Sequence, residues 1–239
     1  MNKVILLLCV LLANPLHAQE KLVVLSESWP PFIYEKDSEV VGLVTEKVKE
    51  VLEIAQLDYQ IKLLPWARSY GIARSTPNTF IYSIFRSAER EALFHWYCPL
   101  MDAEDGYLYR LASNTYSLKS LDDARQYRIG VMREDLTHQY LRDKGFIERV
   151  NLDISADEDI NLMKLISGRV DFIVQSPSAI RFRLKTLGLS TGVVVAELVL
   201  LPEKKQQHCL ALNIDSDPDL VRQLNTAFHL WQQQHITSN

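Results

Sequence analysis

Arg90 is the residue whose chemical type and position most clearly suggest ligand binding. It lies just inside a predicted helix start in the segment 81–91, and the turn 29–32, which reads Trp-Pro-Pro-Phe, comes about fifty residues earlier. A guanidinium binds a carboxylate through two parallel hydrogen bonds, and aromatic faces pack against the remainder of a small ligand. The two segments together predict a binding site for a small carboxylate.

Two aromatic and two cationic side chains are further candidates for this site. Trp29 lies in a turn directly after a predicted strand, where parallel sheets place their ligands. Trp66 has Arg68 close behind it, and this pair offers a second cation beside an aromatic ring. Arg86 has a plain alternative, which is a surface ion pair with one of the glutamates that follow it.

The sequence lacks the common motifs of catalysis. It contains no Gly-rich phosphate loop, no Gly-x-Ser-x-Gly elbow and no His-x-x-x-His pair. His208 and Cys209 are adjacent, and we interpret the pair as structural rather than metal-binding. We therefore expect neither a cofactor nor a metal, and a protein that is not an enzyme.

Residues 1–18 read as a cleavable export signal, with Lys3 in front of an apolar run that is too short to span a bilayer. The mature product is therefore expected to be soluble and periplasmic. Loss of Lys3 changes the formal net charge from −4 to −5. That mild acidity, without a basic stripe, argues against nucleic acid or an anionic membrane as partner. Cys98 and Cys209 remain, and the sequence leaves their pairing open.

The remainder of the chain reads as two successive α/β units with parallel sheets. A capping box at 155–158, Ser-Ala-Asp-Glu, is predicted to start one helix of the second unit. Asp217 and Pro218 are predicted to start the last helix, which returns to the first unit. Strands are predicted over 21–25, 59–64, 79–85, 127–132, 150–154 and 170–174, and helices over 43–55, 69–74 and 137–144.

These segments occur in the order typical of a known family. The turn 29–32, the helix start at Gly42, Arg90 and the Gly-Arg-Val-Asp segment at 168–171 all take part. The chain resembles the extracellular solute-binding proteins of family 3, which include amino-acid receptors of ABC transporters. The resemblance implies an α/β, two-lobed periplasmic-binding-protein-like fold of type II. Each lobe would be a mostly parallel sheet flanked by helices, and two crossover strands would join the lobes.

The resemblance also implies a domain organisation and a set of binding residues. The expected organisation is a signal peptide at 1–18, lobe 1 at 19–101, lobe 2 at 102–202 and a return to lobe 1 at 203–239. Within lobe 1, Arg90 matches the arginine that binds the ligand α-carboxylate, and Ser83 matches a polar residue on the same loop. Trp29 matches a stacking aromatic, and Trp66 lies where the family has an apolar residue lining the cleft.

Lobe 2 departs from the family pattern at two loops. The acidic residue that binds an α-ammonium in the family is absent, because that stretch reads Gln-Ser-Pro-Ser at 175–178. The anion-binding loop is replaced by Met-Arg-Glu-Asp-Leu at 132–136, where Asp135 or Glu134 would have to supply the counter-charge. The candidate contacts from lobe 2 are Arg133, Asp135, Gln175 and Ser176.

The expected function is that of a monomeric periplasmic protein that encloses a small carboxylate-bearing solute, an amino acid or related organic anion. Its expected role is ABC-type uptake, with a permease as partner. Two alternatives stay open. In the first, the protein presents its liganded state to a membrane sensor. In the second, it is a dehydratase of small acids in which Glu134 or Asp135 acts as general acid.

Overall fold

The computed structural model describes residues 21–200 and 206–236, and the predicted export signal at 1–18 lies outside them. The chain forms two five-stranded sheets, a short hairpin and six α-helices within these ranges. In chain order the elements are β1 (Leu22–Ser26), β2 (Tyr34–Lys36), β3 (Glu39–Val41), α1 (Leu43–Ile54), β4 (Tyr59–Leu63), α2 (Trp66–Ser75), β5 (Thr79–Ile84), β6 (Phe94–Asp102), β7 (Gly106–Leu111), β8 (Ile129–Met132), α3 (Leu136–Asp143), β9 (Leu152–Ser155), α4 (Glu158–Ile166), β10 (Phe172–Gln175), α5 (Pro177–Thr186), β11 (Val194–Leu200), β12 (Gln207–Asn213) and α6 (Pro218–Ile236).

The first sheet has the strand order β4-β1-β5-β12-β6. Successive side chains of a strand point to opposite faces, so each strand contributes to two cores. Val24, Phe80 and Tyr82 pack with α1 and α6 on one face, whereas Leu25 and Ile81 pack with α2 on the other. Because both faces are covered, all six residues of β5 are buried. We refer to this sheet with α1, α2 and α6 as lobe 1.

The second sheet has the strand order β11-β7-β10-β8-β9, and with α3, α4 and α5 it forms lobe 2. Its apolar side chains again divide into two clusters, one on each face. Leu108 and Phe172 belong to one cluster, and Tyr109 and Ile173 belong to the other. Two separate cores therefore stabilise lobe 2, as in lobe 1.

Each sheet is mixed, which corrects the expectation of mostly parallel sheets. β1 pairs in parallel with β4 and β5, and β8 pairs in parallel with β9 and β10. The pairings of β12 with β5 and β6, and of β7 with β10 and β11, are antiparallel. Within the two five-stranded sheets, every antiparallel pairing involves strands that carry the chain between the lobes, since β6 leads into β7 and β11 precedes β12.

The last helix, α6, packs against α1 of lobe 1. Leu220, Leu224, Phe228 and Trp231 of α6 belong to the cluster that contains α1. The Trp231 indole also donates a hydrogen bond of 2.7 Å to Glu50 Oε2. β6 ends at Asp102 and β7 begins at Gly106, while residues 201–205 lie outside the described ranges. The expected lobe boundaries at 101/102 and 202/203 therefore stay predictions.

A disulfide joins Cys98 of β6 to Cys209 of β12. The two strands are neighbours in the first sheet, and Cys209 is buried. The pairing that the sequence left open is therefore present, and it fixes the first crossover strand to the returning strand of the second crossover.

The predicted capping box at 155–158 is wrong in its assignment of roles. Ser155 ends β9, and Asp157 is the N-cap of α4, with its carboxylate accepting a hydrogen bond of 2.8 Å from the Ile160 amide. Glu158 is then the first residue of the helix, and it does not reach back to an amide of the turn. This shift leaves the Glu158 carboxylate available for the cleft between the lobes.

Candidate functional site

A cleft lies between the two lobes, with about 900 Å³ of empty space when the solvent at its mouth is included. Its walls are built at the carboxyl ends of the parallel strands of both sheets, which is where open α/β sheets bind ligands. Glu27 follows β1 and Phe85 follows β5 in lobe 1, while Asp135 comes shortly after β8 and Ser176 follows β10 in lobe 2. The described lining residues are Glu27, Trp29, Trp66, Ser83, Phe85, Arg90, Glu104, Asp105, Gly106, Met132, Asp135, Leu136, Thr137, Glu158, Val174, Gln175, Ser176, Leu200 and Gln206.

Seven of the ten predicted site residues come together in this cleft: Trp29, Trp66, Ser83, Arg90, Asp135, Gln175 and Ser176.

The other three predicted residues, all arginines, do not line the cleft, and their side chains are exposed. Arg68 lies on α2 away from the buried face of that helix. Arg86 forms an exposed ion pair with Glu91 and stacks over the ring of Trp96. Arg133 follows the end of β8 and points to solvent. The alternative interpretation of Arg86, a surface ion pair with a following glutamate, is therefore the one that the structure shows.

Arg90 is buried, with a side-chain exposure of 1%. Its Nη1 donates a hydrogen bond of 3.2 Å to the Phe85 carbonyl, and its Nη2 donates one of 2.9 Å to the Glu134 carbonyl of lobe 2. The guanidinium lies 5.4 Å from the ring centre of Trp66 and 5.0 Å from that of Tyr70. These cation–π contacts orient the guanidinium, while its Nε has no hydrogen-bond partner among the described residues.

Trp66 contacts the same lobe 2 carbonyl as Arg90. Its indole Nε1 donates a hydrogen bond of 2.8 Å to the Glu134 oxygen, and its ring stacks on Tyr70 with an interplanar angle of 10°. Glu134 has a φ of 61°, a left-handed conformation that few residues other than glycine adopt. With this backbone conformation in the turn after β8, the Glu134 carbonyl points towards lobe 1.

Trp29 belongs to an aromatic group at the floor of the cleft. Its ring centre lies 5.1 Å from that of Phe32, 5.8 Å from that of Phe85 and 5.2 Å from that of His208. The turn is fixed by two backbone hydrogen bonds between Trp29 and Ile33. These contacts hold the Trp29 ring in place, so that one of its faces can pack against a ligand.

His208 lies beneath this aromatic group and is fully buried. Its Nδ1 lies 2.7 Å from Ser83 Oγ, so the predicted polar residue Ser83 is held by a histidine. Burial lowers the pKa of His208 to about 4, which keeps the imidazole neutral near pH 7. The interpretation of His208 and Cys209 as structural agrees with these positions. No three His, Cys, Asp or Glu side chains within 21–200 and 206–236 are grouped so as to hold a metal ion.

Three carboxylates of the cleft interact with one another. Burial raises the pKa of Glu158 to about 7, and repulsion by Asp135 adds to this shift. Burial likewise raises the pKa of Asp135 to about 6, against the opposing effects of the His138 amide and Arg90. The pKa of Glu27 is raised well above its ordinary value, first by burial and then by repulsion from Glu158 and Asp135.

Glu158 is connected to Gln175 through the wall of lobe 2. Glu158 Oε2 accepts hydrogen bonds from Gln175 Nε2 at 2.7 Å and from Asn161 Nδ2 at 3.1 Å. Gln175 is 4% exposed, and its Oε1 has no hydrogen-bond partner among the described residues. A buried acceptor without a donor is costly, so this oxygen is available for a ligand N–H group.

The sequence reasoning missed Glu27 and Glu158. Glu27 stands two residues before Trp29 and directly after β1, so the rule that placed Trp29 in the cleft also applies to it. The Ser-Ala-Asp-Glu pattern indicates a capping role for Glu158 and gives no sign that this residue lies at the cleft, after the end of β9. No comparable signal exists for Glu104 and Asp105, which lie in the first crossover between β6 and β7.

Side chains of lobe 2 also contact lobe 1, in addition to the backbone carbonyl of Glu134. Arg183 of α5 is 3% exposed and donates a hydrogen bond of 3.3 Å to the Ser28 carbonyl. Met132 and Ala179 pack into apolar clusters of lobe 1, and Tyr34 contacts Phe182 with ring centres 5.3 Å apart. The structure therefore shows the lobes closed on each other.

The two lobes, their double crossover and the cleft between them define a periplasmic-binding-protein-like fold. A histidine kinase sensor domain with similarity to periplasmic binding proteins has a TM-score of 0.77 at 15% identity, over 90% of this chain and 92% of that one. An ancestral arginine-binding protein bound to arginine has a TM-score of 0.75 at 18% identity, over 91% and 94% of the two chains. The arginine-, lysine-, histidine-binding protein ArtJ from Geobacillus stearothermophilus has a TM-score of 0.72 at 18% identity, over 90% of each chain.

These likenesses confirm the fold that the resemblance to family 3 implied. No protein-family model matches the sequence, and no curated protein sequence matches it. Within the described residues, no helix combines the length and the apolar character that a membrane span requires.

Proposed function

We propose that this chain is a periplasmic solute-binding protein that encloses a small carboxylate-bearing solute of the amino-acid type between its lobes. The observation that carries the proposal is the convergence of Arg90, Trp29 and Trp66 from lobe 1 with Asp135, Gln175 and Ser176 from lobe 2 on one cleft. Three similar structures, from two bacteria and a reconstructed ancestor, are arginine- or amino-acid-binding proteins. An ABC permease as partner, a monomeric state and export by residues 1–18 are part of the same proposal.

Arg90 is the proposed anchor for the solute carboxylate. A guanidinium has five N–H donors, and protein carbonyls use one on each Nη of Arg90. The Nε–H has no described partner, so it remains for an anion in the cleft. Trp29 supplies the ring face against the solute, and the second lobe adds contacts on closure. A ligand favours the closed form only to the extent that it contacts lobe 2.

The test is a thermal-shift screen of residues 19–239 against amino acids, di- and tricarboxylates, aromatic acids and polyamines, followed by calorimetry. Free ligand at 100 times its Kd adds about 2.7 kcal/mol to stability, which a melting curve resolves. Arg90→Lys keeps the charge and loses the fork, so we expect at least tenfold weaker binding. Arg68→Lys is the matched control, because Arg68 is exposed and outside the cleft lining. Equal affinity of both variants would contradict the anchor, and silence across the panel would contradict solute binding.

A sensory role is the second candidate, because the histidine kinase sensor domain has a higher TM-score than the amino-acid-binding structures reported above. Uptake of the labelled solute by a strain that lacks the gene separates the two roles. Lost uptake supports transport, whereas normal uptake with a lost transcriptional response supports sensing. The chain is proposed not to be an enzyme, and recovery of the bound solute in altered form would instead support the dehydratase alternative with Asp135 as acid.

A further inference from the structure

Ser83 interrupts the regular pairing of β5 with β12. Cys209 pairs with Ile84 and Leu210 pairs with Tyr82, so Ser83 has no partner in the register of the two strands. Its φ of 59° lies in the left-handed region, which a serine adopts only rarely. An extra residue of this kind forms a β-bulge, which changes the direction of the side chain. Ser83 lines the cleft from this position near the carboxyl end of β5.

A second irregularity lies on the other side of β12. Three residues of β6, 98–100, lie opposite the single residue Cys209 of β12. The disulfide between Cys98 and Cys209 joins the two strands at this point. The part of β12 that faces the Ser83 bulge is therefore fixed covalently to β6.

His208 holds Ser83 from β12, in surroundings that suit an apolar side chain better. Its Nδ1 lies 2.7 Å from Ser83 Oγ, whereas its Nε2 is buried without a hydrogen-bond partner among the described residues. The rings of Trp29, Phe32 and Phe85 have their centres 5.2, 5.0 and 5.4 Å from that of His208. A buried polar atom without a partner is unfavourable, so this histidine is a poor choice for stability alone.

Two costly features therefore meet at one point of the cleft floor, the left-handed backbone of Ser83 and the half-paired imidazole of His208. Among the left-handed residues other than glycine in the described ranges, Ser83 is the one that lies inside a strand. The charge of Glu104 acts on His208, but its carboxylate accepts hydrogen bonds from Ser178 instead. Costly features of this kind persist where the surrounding structure enforces them, and they concentrate at ligand-binding sites.

We propose, on the basis of the solute-binding function above, that His208 is a positioning residue that acts on the solute through Ser83. The imidazole fixes the direction of the Ser83 hydroxyl at the floor of the cleft. A neutral imidazole has one N–H donor and one acceptor nitrogen, so Nδ1 engages one hydrogen-bonding capacity of the hydroxyl. The remaining capacity of the hydroxyl serves the solute. His208 therefore contributes to affinity without contacting the solute.

The proposal predicts that stability and affinity respond differently to the loss of this pair. Exchange of both partners for apolar side chains removes the buried polar atoms together, which leaves the stability of the fold nearly unchanged or raises it. The same exchange removes the hydroxyl and its fixed direction, so the solute binds more weakly. A pair with a purely structural role would lose stability and affinity together.

The first measurement is calorimetry of residues 19–239 with Ser83→Ala, His208→Leu, the double variant and His208→Asn. The probe is the tightest binder of the parent protein among L-arginine, L-glutamate, L-phenylalanine, succinate and any hit of the thermal-shift screen. We expect each single apolar variant to bind this probe at least about fivefold more weakly. The double variant should be no more than about twofold weaker than the weaker single variant, because the two residues act as one unit. His208→Asn should recover most of the loss, since its amide places a polar atom near the position of Nδ1.

The second measurement is urea unfolding of the same proteins without ligand. The double variant should unfold at a urea concentration no lower than that of the parent protein. Ser216→Ala is the matched control, because Ser216 is 6% exposed like Ser83 and its Oγ accepts a hydrogen bond of 2.8 Å from the Asn78 amide, away from the cleft lining. This control should lose stability and keep its affinity for the probe.

Unchanged affinity of His208→Leu, equal weakening by His208→Leu and His208→Asn, or parallel losses of stability and affinity would overturn the positioning role and leave solute binding intact. Absence of binding of all these probes to the parent protein would overturn solute binding and, with it, the role of His208.

Discussion

The Glu134 carbonyl of lobe 2 lies 2.9 Å from Nη2 of Arg90 in lobe 1. The same oxygen accepts the Trp66 indole hydrogen bond at 2.8 Å. A backbone carbonyl of the protein therefore accepts one of the N–H donors of Arg90, the residue that we propose as the carboxylate anchor. This contact stabilises the closed arrangement and makes the solute compete with, or rearrange, an internal acceptor.

Trp66→Phe should shift the ligand-free protein towards an open arrangement. The ring remains over Arg90, while one hydrogen bond across the cleft is lost. A net hydrogen bond contributes about 1 kcal/mol, which corresponds to roughly a fivefold change in the closed-to-open ratio. The radius of gyration from small-angle X-ray scattering is the measurement. Trp96→Phe is the control, because its indole bonds the Glu91 carbonyl within lobe 1. An identical radius for both variants would contradict a role of Trp66 in closure.

Glu158→Gln should change how stability depends on pH. Since the folded-state pKa of Glu158 is raised to about 7, its protonated form contributes stability that is present below pH 4.5 and is lost as the pH rises through 7. The free energy of unfolding of the ligand-free protein should therefore be lower at pH 8 than at pH 5, by up to about 3 kcal/mol for this group. The melting temperature should fall accordingly. Glu158→Gln should reduce that difference. A pH profile with the same slope in both proteins would show that Glu158 is ionised in the free cleft.

His208 should act in the opposite direction at lower pH. Its folded-state pKa is lowered to about 4, so its contribution is present above pH 6.5 and is lost as the pH falls through 4. Full burial makes the loss as large as about 3 kcal/mol. His208→Asn keeps a polar atom near Ser83 and cannot be protonated, so its stability should fall less between pH 6.5 and 4. Urea unfolding between pH 6.5 and 4 measures how the free energy of unfolding changes with pH in the parent protein and in His208→Asn. The same pH dependence in both proteins would contradict a buried neutral imidazole at position 208.

Replacement of both cysteines by alanine should lower the free energy of unfolding by about 2–5 kcal/mol, because the disulfide closes a loop of 111 residues. Guanidinium unfolding under oxidising conditions measures the effect. A reducing agent should lower the free energy of unfolding of the parent protein and leave that of the double variant unchanged. Equal stability of the two oxidised proteins would mean that the crosslink does not restrict the unfolded chain.

The sequence predicts where the strands end better than it predicts the directions of the side chains. Arg90, Trp29 and Gln175 reach the cleft because parallel strands bring their carboxyl ends to one edge, and that follows from order along the chain. Arg68 was misplaced because α2 begins at Trp66 rather than at residue 69. With the earlier start, Trp66, Ser69 and Tyr70 share the buried face. Two residues along a helix differ by about 200° in direction, so Arg68 points away.

The contacts across the cleft were beyond sequence reasoning. That Arg90 donates to Glu134 depends on how far two lobes approach each other, and local propensity does not encode this distance. Arg133 was expected in the cleft, yet Glu134 adopts a left-handed conformation that brings its carbonyl, rather than the Arg133 side chain, to lobe 1. The charge of Glu158 was hidden for a similar reason, because a different residue caps its helix.

The position of β12 has a consequence for the order in which the chain folds. This strand is the last of the described strands in the sequence, but in the first sheet it lies between β5 and β6. The sheet therefore cannot close when residues 21–102 emerge during synthesis, whereas the second sheet is made from one continuous stretch of chain. We expect lobe 2 to be able to assemble first, while the earlier half of lobe 1 keeps an open strand edge until residues 207–213 arrive. Formation of the Cys98–Cys209 bond would then mark the completion of the first sheet.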